Sequence, residues 1–201
     1  MRTLRHRVHR YNVALCEIVG LTPTGNNFCI AYAFMAHEDT DTYTWVLNNL
    51  RVIFQGKVPD SIMTDRELGL MAALRAVFPE VQHLLCWLHV TRNCEDTALK
   101  ITKNLEISTL FKNQVWGLFS SSTEESFERR RIYLHAQWQP FSGVMGYLET
   151  VWLIHRTSLV RCYTDHVLHF GTRTTNRYAY RFRRYPCHSF ATFRQSFTSS
   201  T

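Results

Sequence analysis

The two ends of the chain contain no acidic side chains. Residues 1–10 hold four arginines and residues 177–201 hold five, and neither stretch contains an aspartate or a glutamate. The net charge of +7 therefore comes from the ends, because residues 11–176 hold 14 basic against 16 acidic side chains. Any argument for binding an acidic partner must rest on these basic ends, since the body of the protein is not basic.

The sequence also lacks a long hydrophobic run. No apolar stretch approaches the roughly 20 residues that cross a bilayer. The basic first ten residues are not followed by the apolar core of a signal peptide. We therefore expect neither a membrane segment nor a signal peptide. No internal repeat and no glycine- or serine-rich linker divides the 201 residues, which suits one domain with at most a small remnant.

The cysteines show no disulfide-scaffold spacing. Scattered cysteines in a chain without a signal peptide predict reduced thiols in a cytosolic or nuclear protein. A hydrophobic content of 45% with 19% charged residues indicates a globular chain rather than a disordered one. The six cysteines are Cys16, Cys29, Cys86, Cys94, Cys162 and Cys187.

The first third of the chain predicts a hairpin followed by a helix. Residues 13–21 and 28–35 are rich in strand formers and flank the turn-forming residues 22–27. After residues 38–41, apolar side chains recur at helical spacing and Gly56 ends the pattern. This predicted apolar stripe consists of Tyr43, Val46, Leu47, Leu50, Ile53 and Phe54.

Residues 61–90 predict a strand, a helix and a second strand. The first apolar run ends at Thr64–Asp65, which places Asp65 at the carboxyl end of a strand, where α/β sheets usually carry their chemistry. Thr64 and Glu67 fit a capping box that would begin the helix, and Pro79 ends it. The second run, residues 83–88, leads into Cys86 and His89. The predicted buried face of the helix is Leu70, Leu74 and Val77.

The residues from 90 to about 160 predict helices only. Ser122 and Glu125 fit a second capping box that restarts a helix after a break. Four tryptophans are more typical of core or interface anchors than of base-stacking platforms. They are Trp87, Trp116, Trp138 and Trp152.

Four motifs, taken in order, resemble the MULE-type (Mutator-like) transposase domain. They are RYNVALCEIVGLTPTGNNFCIAYAFM, MTDRELGLMAALRAVFP, the C-x-x-H of LLCWLHV, and HFGTRTTN. The likeness runs from about Arg10 to Arg177. It implies an α/β, ribonuclease-H-like three-layer fold with an all-helical insertion at about 90–160. Residues 1–10 are then a degenerate remnant, 11–176 the transposase-like domain, and 177–201 an irregular tail rich in arginine and aromatic residues.

The resemblance implies a DDE site, in which three carboxylates hold two Mg²⁺ or Mn²⁺ ions about 3.5–4 Å apart for DNA strand cleavage and transfer. Asp65 matches the second acid of this set. The first and last acids fall on Thr3 and Ala179, which cannot replace a carboxylate. We therefore expect a transposase-like protein with defective catalysis. We also expect the first strand, which lies at the centre of the sheet in this fold, to be missing or altered in sequence. Its loss would leave the two neighbouring strands with unpaired edges.

Other roles for these residues remain open. Asp65 could instead be a cap or first-turn acid of the following helix. Cys86 and His89 form half of a possible zinc site, or else a buried thiol and a hydrogen-bonded imidazole. The arginine- and aromatic-rich tail could stack on single-stranded nucleic acid, or could be an out-of-frame translation. The second half of a zinc site would have to come from Cys94, His155, Cys162, His166 or His169.

Three functional hypotheses follow. The first is a defective fragment of a transposase for cut-and-paste DNA transposition, for which the resemblance implies a nuclear location, terminal inverted repeats as the DNA partner, and self-association. The second is a domesticated nuclear DNA- or protein-binding regulator derived from such a transposable element. The third is an unrelated soluble α/β protein. None of the three predicts a membrane partner.

Overall fold

The computed structural model describes residues 13–22, 24–169, 171 and 173–175, together with the backbone of residues 189–194. The chain divides into two compact units. The first contains the residues up to Leu84 and those from Val167 onwards, and the second runs from Leu85 to His166. The first unit holds a five-stranded sheet with helices, and the second is helical, so the fold class is mixed α/β.

The first unit begins with the predicted hairpin. Strand β1 (Ala14–Leu21) pairs antiparallel with β2 (Asn27–Met35), within one residue of the predicted bounds. The backbone N–H of Gly25 donates to the carbonyl of Thr22 at 2.9 Å, and Gly25 adopts a φ of 78°, which favours glycine. The prediction of a turn between the two strands is confirmed.

A helix, a strand, a second helix and a further strand follow the hairpin. They are α1 (Thr40–Ile53), β3 (Ser61–Thr64), α2 (Leu68–Val77) and β4 (Gln82–Leu85). Asp39 begins α1, since its carboxylate accepts the N–H of Thr42 at 2.8 Å. The predicted element types are therefore confirmed across residues 40–85.

The predicted capping box of Thr64 and Glu67 is wrong. Helix α2 begins at Leu68, and its N-cap is Glu67, whose carboxylate accepts the N–H of Gly69 at 3.3 Å. Thr64 is the last residue of β3 and is fully buried, so its backbone belongs to the sheet. Because a strand residue cannot also begin the helix, the cap moves three residues along the chain.

The strand at the centre of the sheet comes from the end of the chain. Strand β5 (Ser189–Arg194) lies between β1 and β3, in the order β2-β1-β5-β3-β4. It runs parallel to β1 and antiparallel to β3. Ile18 of β1 lies opposite Ala191, and Met63 of β3 lies opposite Thr192.

This finding corrects two expectations from the sequence. Residues 177–201 were predicted to be irregular, and the neighbours of the missing central strand were predicted to have unpaired edges. In the structure Ser189–Arg194 forms a strand and pairs with both neighbours. The physical reason is that unpaired N–H and C=O groups inside a sheet are costly, so an extended segment that pairs with both edges is stabilised there.

The core of the first unit lies between the sheet and helices α1 and α2. Apolar side chains from one face of β1, β2 and β3 pack with the buried stripes of the two helices, as predicted for Leu70, Leu74 and Val77. Ile53, at the end of the predicted α1 stripe, is instead 57% exposed because the helix ends there. The largest core members are Ile18, Met35, Tyr43, Leu47, Leu50, Ile62 and Phe78.

Between residues 87 and 164, which the structure describes without a gap, the second unit contains only helices and the short connections between them. Three long helices come first: α3 (Trp87–Thr102), α4 (Leu105–Phe119) and α5 (Glu124–Gln137). Short helices α6 (Ser142–Tyr147), α7 (Arg156–Leu159) and α8 (Arg161–Thr164) follow, with 3₁₀ turns at Gln139–Phe141 and Leu153–His155 and a π-helical turn at Leu148–Trp152.

The start of α5 differs by one residue from the prediction. The capping box is formed by Thr123 and Ser126 rather than by Ser122 and Glu125. The Thr123 hydroxyl accepts the N–H of Ser126 at 3.1 Å, and the Ser126 hydroxyl accepts the N–H of Thr123 at 3.3 Å. A serine therefore takes the place of the usual glutamate. In the parts of the chain that the structure describes, no helix has the length and apolar character to span a membrane.

Candidate functional site

Asp65 lies directly after β3, at the carboxyl end of that strand, where the sequence predicts it. Its side chain is partly exposed. The preceding residue holds its backbone in place: the hydroxyl of Thr64 donates to the carbonyl of Asp65 at 2.7 Å and also lies 2.7 Å from Nε2 of His83 on β4. The carboxylate of Asp65 is thus carried by a backbone that two strands of the sheet fix.

The N-cap of α2 is Glu67 rather than Asp65. If Asp65 were the cap of α2, its carboxylate would accept an N–H of the first turn. Glu67 makes that hydrogen bond instead, to the N–H of Gly69. A structural role as the cap of α2 therefore does not account for Asp65.

The two strands that neighbour β3 contain no acidic residue. The neighbour of β3 on one side is β5, whose sequence SFATFR contains no aspartate or glutamate. The neighbour on the other side is β4, whose sequence QHLL contains none either. Thr3 and Ala179, the positions at which the resemblance requires the other two acids, lie outside the described residues.

Cys86 and His89 belong to the second unit, whereas Asp65 belongs to the first. Cys86 is the N-cap residue of α3 and is 1% exposed, and its side chain makes no capping hydrogen bond. His89 lies in the first turn of the same helix and is partly exposed. Because the two residues are three apart, they share one side of the helix, and the Cys86 sulfur and a His89 ring nitrogen lie within 4.8 Å of each other.

The other half of a zinc site does not assemble around this pair within the second unit. Among the described residues 85–166, no further cysteine or histidine joins Cys86 and His89 within the 4.8 Å that the ligands of one ion span. Burial raises the pKa of the Cys94 thiol well above its usual range. Burial, and then the negative charge of Glu124, raise the pKa of Cys162.

Sequence reasoning missed one buried carboxylate. Glu17 in β1 is 3% exposed and lies opposite Tyr32 of β2. Burial raises the pKa of Glu17, and a hydrogen bond from the Tyr32 hydroxyl opposes that rise. The signal in the sequence is one acid inside the apolar run VALCEIVGL. Because Tyr32 supplies the hydrogen bond that a buried carboxylate requires, the arrangement satisfies Glu17 inside the hairpin.

Three of the four predicted tryptophan anchors are buried. Trp87, Trp138 and Trp152 are 3%, 3% and 2% exposed, whereas Trp116 is 38% exposed. The indole N–H of Trp87 donates to the carbonyl of Leu159 at 2.8 Å. The three buried rings are anchors of the helical unit, as predicted.

Comparison with known proteins identifies the class of domain. The family model described as MULE transposase domain matches residues 5–93, which include β1 to β4, Asp65, Cys86 and His89. The resemblance to the MULE transposase domain family is therefore confirmed over residues 5–93.

Similar curated proteins come from Arabidopsis thaliana. Protein FAR1-RELATED SEQUENCE 4 is 27% identical over 132 residues, which are 63% of this chain and 17% of that protein. Protein FAR1-RELATED SEQUENCE 5 is 26% identical over 91 residues, 45% of this chain and 12% of that protein. Protein FAR-RED IMPAIRED RESPONSE 1 is 23% identical over 167 residues, 81% of this chain and 19% of that protein. The chain thus spans less than a fifth of the length of these relatives.

Proposed function

We propose that this chain is a MULE transposase-like domain that binds DNA or protein partners and does not cleave DNA by itself. The observation that carries the proposal is the identity of the central strand. Strand β3 leads to Asp65, and the strand next to it at the centre of the sheet is an acid-free segment, Ser189–Arg194. The first carboxylate that the family site requires has no place there.

The chemistry of strand cleavage makes this loss severe. Two divalent ions must be held so that one activates the attacking oxygen and the other stabilises the leaving oxygen. Mg²⁺ prefers several oxygen ligands in near-octahedral geometry. Asp65 would hold one ion in the family's arrangement, but a single carboxylate does not fix a pair of ions at the required separation. The donor set available on β3, β4 and β5 therefore does not fit the two-metal site.

Two observations support a binding role in place of catalysis. The chain is similar over much of its length to FAR-RED IMPAIRED RESPONSE 1 and its related sequences, and the family resemblance links such proteins to domesticated DNA-binding regulators. The chain also carries nine arginines at its two ends without any acid beside them. We propose a nuclear location, duplex DNA as the partner, and a ribonuclease-H-like descent for the sheet, whose central position is now filled by β5.

The test is DNA cleavage by the purified full chain. In the presence of Mg²⁺ or Mn²⁺, we expect no cleavage of supercoiled plasmid or of duplexes that carry the terminal inverted repeats of a MULE element. Asp65→Ala is the matched control, and we expect it to behave as the unchanged chain does. Metal-dependent cleavage that Asp65→Ala abolishes would overturn the proposal, because it would mean that a complete acid set assembles around Asp65.

A further inference from the structure

Strands β1 and β3 lie on either side of β5, and each is also held in place by other elements of the unit. We call the space between them, which β5 occupies, the gap, and the two strands its walls. The far edge of β1 is paired with β2, and the far edge of β3 is paired with β4. Cys16 and Ile18 of β1 and Ile62 of β3 are anchored in the core with α1 and α2. Removing β5 would therefore leave two supported strands, each with one open backbone edge.

Strand β5 fills this gap along both edges. It pairs with β1 from Cys16 to Gly20 and with β3 from Ser61 to Met63. We propose that the gap between β1 and β3 is a binding site for an extended peptide strand, and that Ser189–Arg194 is the ligand that occupies it within the same chain. This proposal is independent of whether the domain cleaves or binds DNA.

The walls define the kind of peptide that fits. Recognition in such a gap comes from backbone hydrogen bonds along both edges, so the ligand must be extended and free of proline. Glu17 is the one charged residue on the paired stretches of the two walls, and it is buried. Glu17 lies opposite residue 190 of β5, so an acidic residue at position 190 of the ligand would place two negative charges side by side in the sheet. The site therefore takes an acid-free strand of about six residues, as SFATFR is.

The position of the ligand in the chain makes it separable from the site. Thirteen residues, 176–188, connect Thr175 to Ser189. An extended connection of this length reaches up to roughly 45 Å. A ligand tied to its site in this way has an effective concentration on the order of millimolar. A free peptide of the same sequence therefore competes only when the attached strand has been disabled.

Thr192→Pro in the full chain tests the site, because proline removes a backbone donor in the middle of β5 and fixes its φ. We expect this variant to lose hydrogen-exchange protection in β1 and β3. We expect it to bind a synthetic peptide of residues 187–198, with serine at Cys187, and to recover that protection. The unchanged chain should bind the same peptide at least about 100-fold more weakly, since its own strand competes. The matched control is Thr198→Pro, beyond the strand, which should behave as the unchanged chain does.

Three results would overturn the proposal. They are unchanged protection of Ile18 and Ile62 in the Thr192→Pro variant, no binding of the peptide to that variant, and equal binding of a peptide that itself carries proline at position 192. If the variant does not stay soluble, cross-linking in an otherwise unchanged chain decides the question. Met63→Cys with Thr192→Cys, which are opposite in register, should form a disulfide. Met63→Cys with Thr198→Cys should not, and equal cross-linking of both pairs would refute the site.

Discussion

Glutamine at Arg177, Arg181 and Arg184 is expected to weaken binding of the full chain to duplex DNA and to reduce its dependence on salt. Each arginine that contacts a phosphate releases counterions, which adds about 0.9 to the slope of log affinity against log salt, so three contacts add about 2.7. At ~0.15 M salt we expect an affinity loss of at least about tenfold. Fluorescence anisotropy over a salt series measures both quantities. Arg194 is left unchanged because it belongs to β5.

A second triple variant removes the same charge from the body of the protein. Arg75, Arg92 and Arg129 are exposed residues of the described part of the chain, and we expect glutamine at these positions to leave the salt slope unchanged. The comparison is meaningful because residues 11–176 hold more acidic than basic side chains. If the variant at Arg75, Arg92 and Arg129 lowered the salt slope as much as the tail variant does, the body of the protein would carry a basic DNA-binding face. Such a face could not be recognised from the distribution of charge along the sequence.

Alanine at Trp87 is expected to cause the largest loss of stability in the helical unit, about 3–5 kcal/mol. The indole is buried, its N–H donates to the Leu159 carbonyl, and its ring meets the Trp116 ring edge-on, with centroids 5.2 Å apart. The substitution removes the ring contacts, leaves a cavity and deprives a carbonyl of its donor. Denaturant unfolding followed by far-ultraviolet circular dichroism, which reports mainly on helices, measures the change.

Trp45 provides the matched control because it is the same residue type in an exposed position. It lies on α1 and is 63% exposed, so Trp45→Ala should change the free energy of unfolding by no more than about 0.5 kcal/mol. Similar losses in the two variants would mean that the packing around Trp87 is not what stabilises the helices. Trp87→Phe, which keeps a ring but removes the donor, should fall between them.

The sequence was sufficient for the elements whose apolar period is clear. The hairpin, helix α1 and the β3-α2-β4 succession are local patterns in which one face is apolar, and their types and order were predicted correctly. The hairpin strands agree within one residue, whereas β4 ends at Leu85 rather than at residue 88 because α3 begins at Trp87. The position of Asp65 at the end of β3 followed from the same pattern. Predictions of helix starts were less accurate: a cap depends on which residue leaves the preceding element, and Thr64 remains in its strand.

The central strand could not be predicted because its cause is not local. In the segment SFATFR the alternation of apolar and polar residues covers only residues 191–194, which is too short to predict a strand, and Pro186 stands shortly before it. Within the described part of the chain, it is the strand that pairs with the facing edges of both β1 and β3, and this pairing is a property of the tertiary structure. Glu17 is a similar case, since its burial depends on Tyr32, which is distant in sequence but opposite in register.

The central claim is that an acid-free strand from the tail occupies the middle of the sheet, so that the family's catalytic acids cannot be restored one residue at a time. A full chain with both Thr3→Asp and Ala179→Glu tests it most directly. Metal chelation needs carboxylates fixed to a fraction of an ångström by rigid elements. Because β5 fills the central position of the sheet, we do not expect an aspartate at position 3 to complete the site.

We predict that this double variant cleaves no inverted-repeat DNA with Mg²⁺ or Mn²⁺, and that activity requires replacing residues 1–9 and 178–201 as a whole by family-like sequence. Cleavage by the double variant that Asp65→Ala abolishes would contradict the account, because it would mean that both ends of the chain fold as the family folds them.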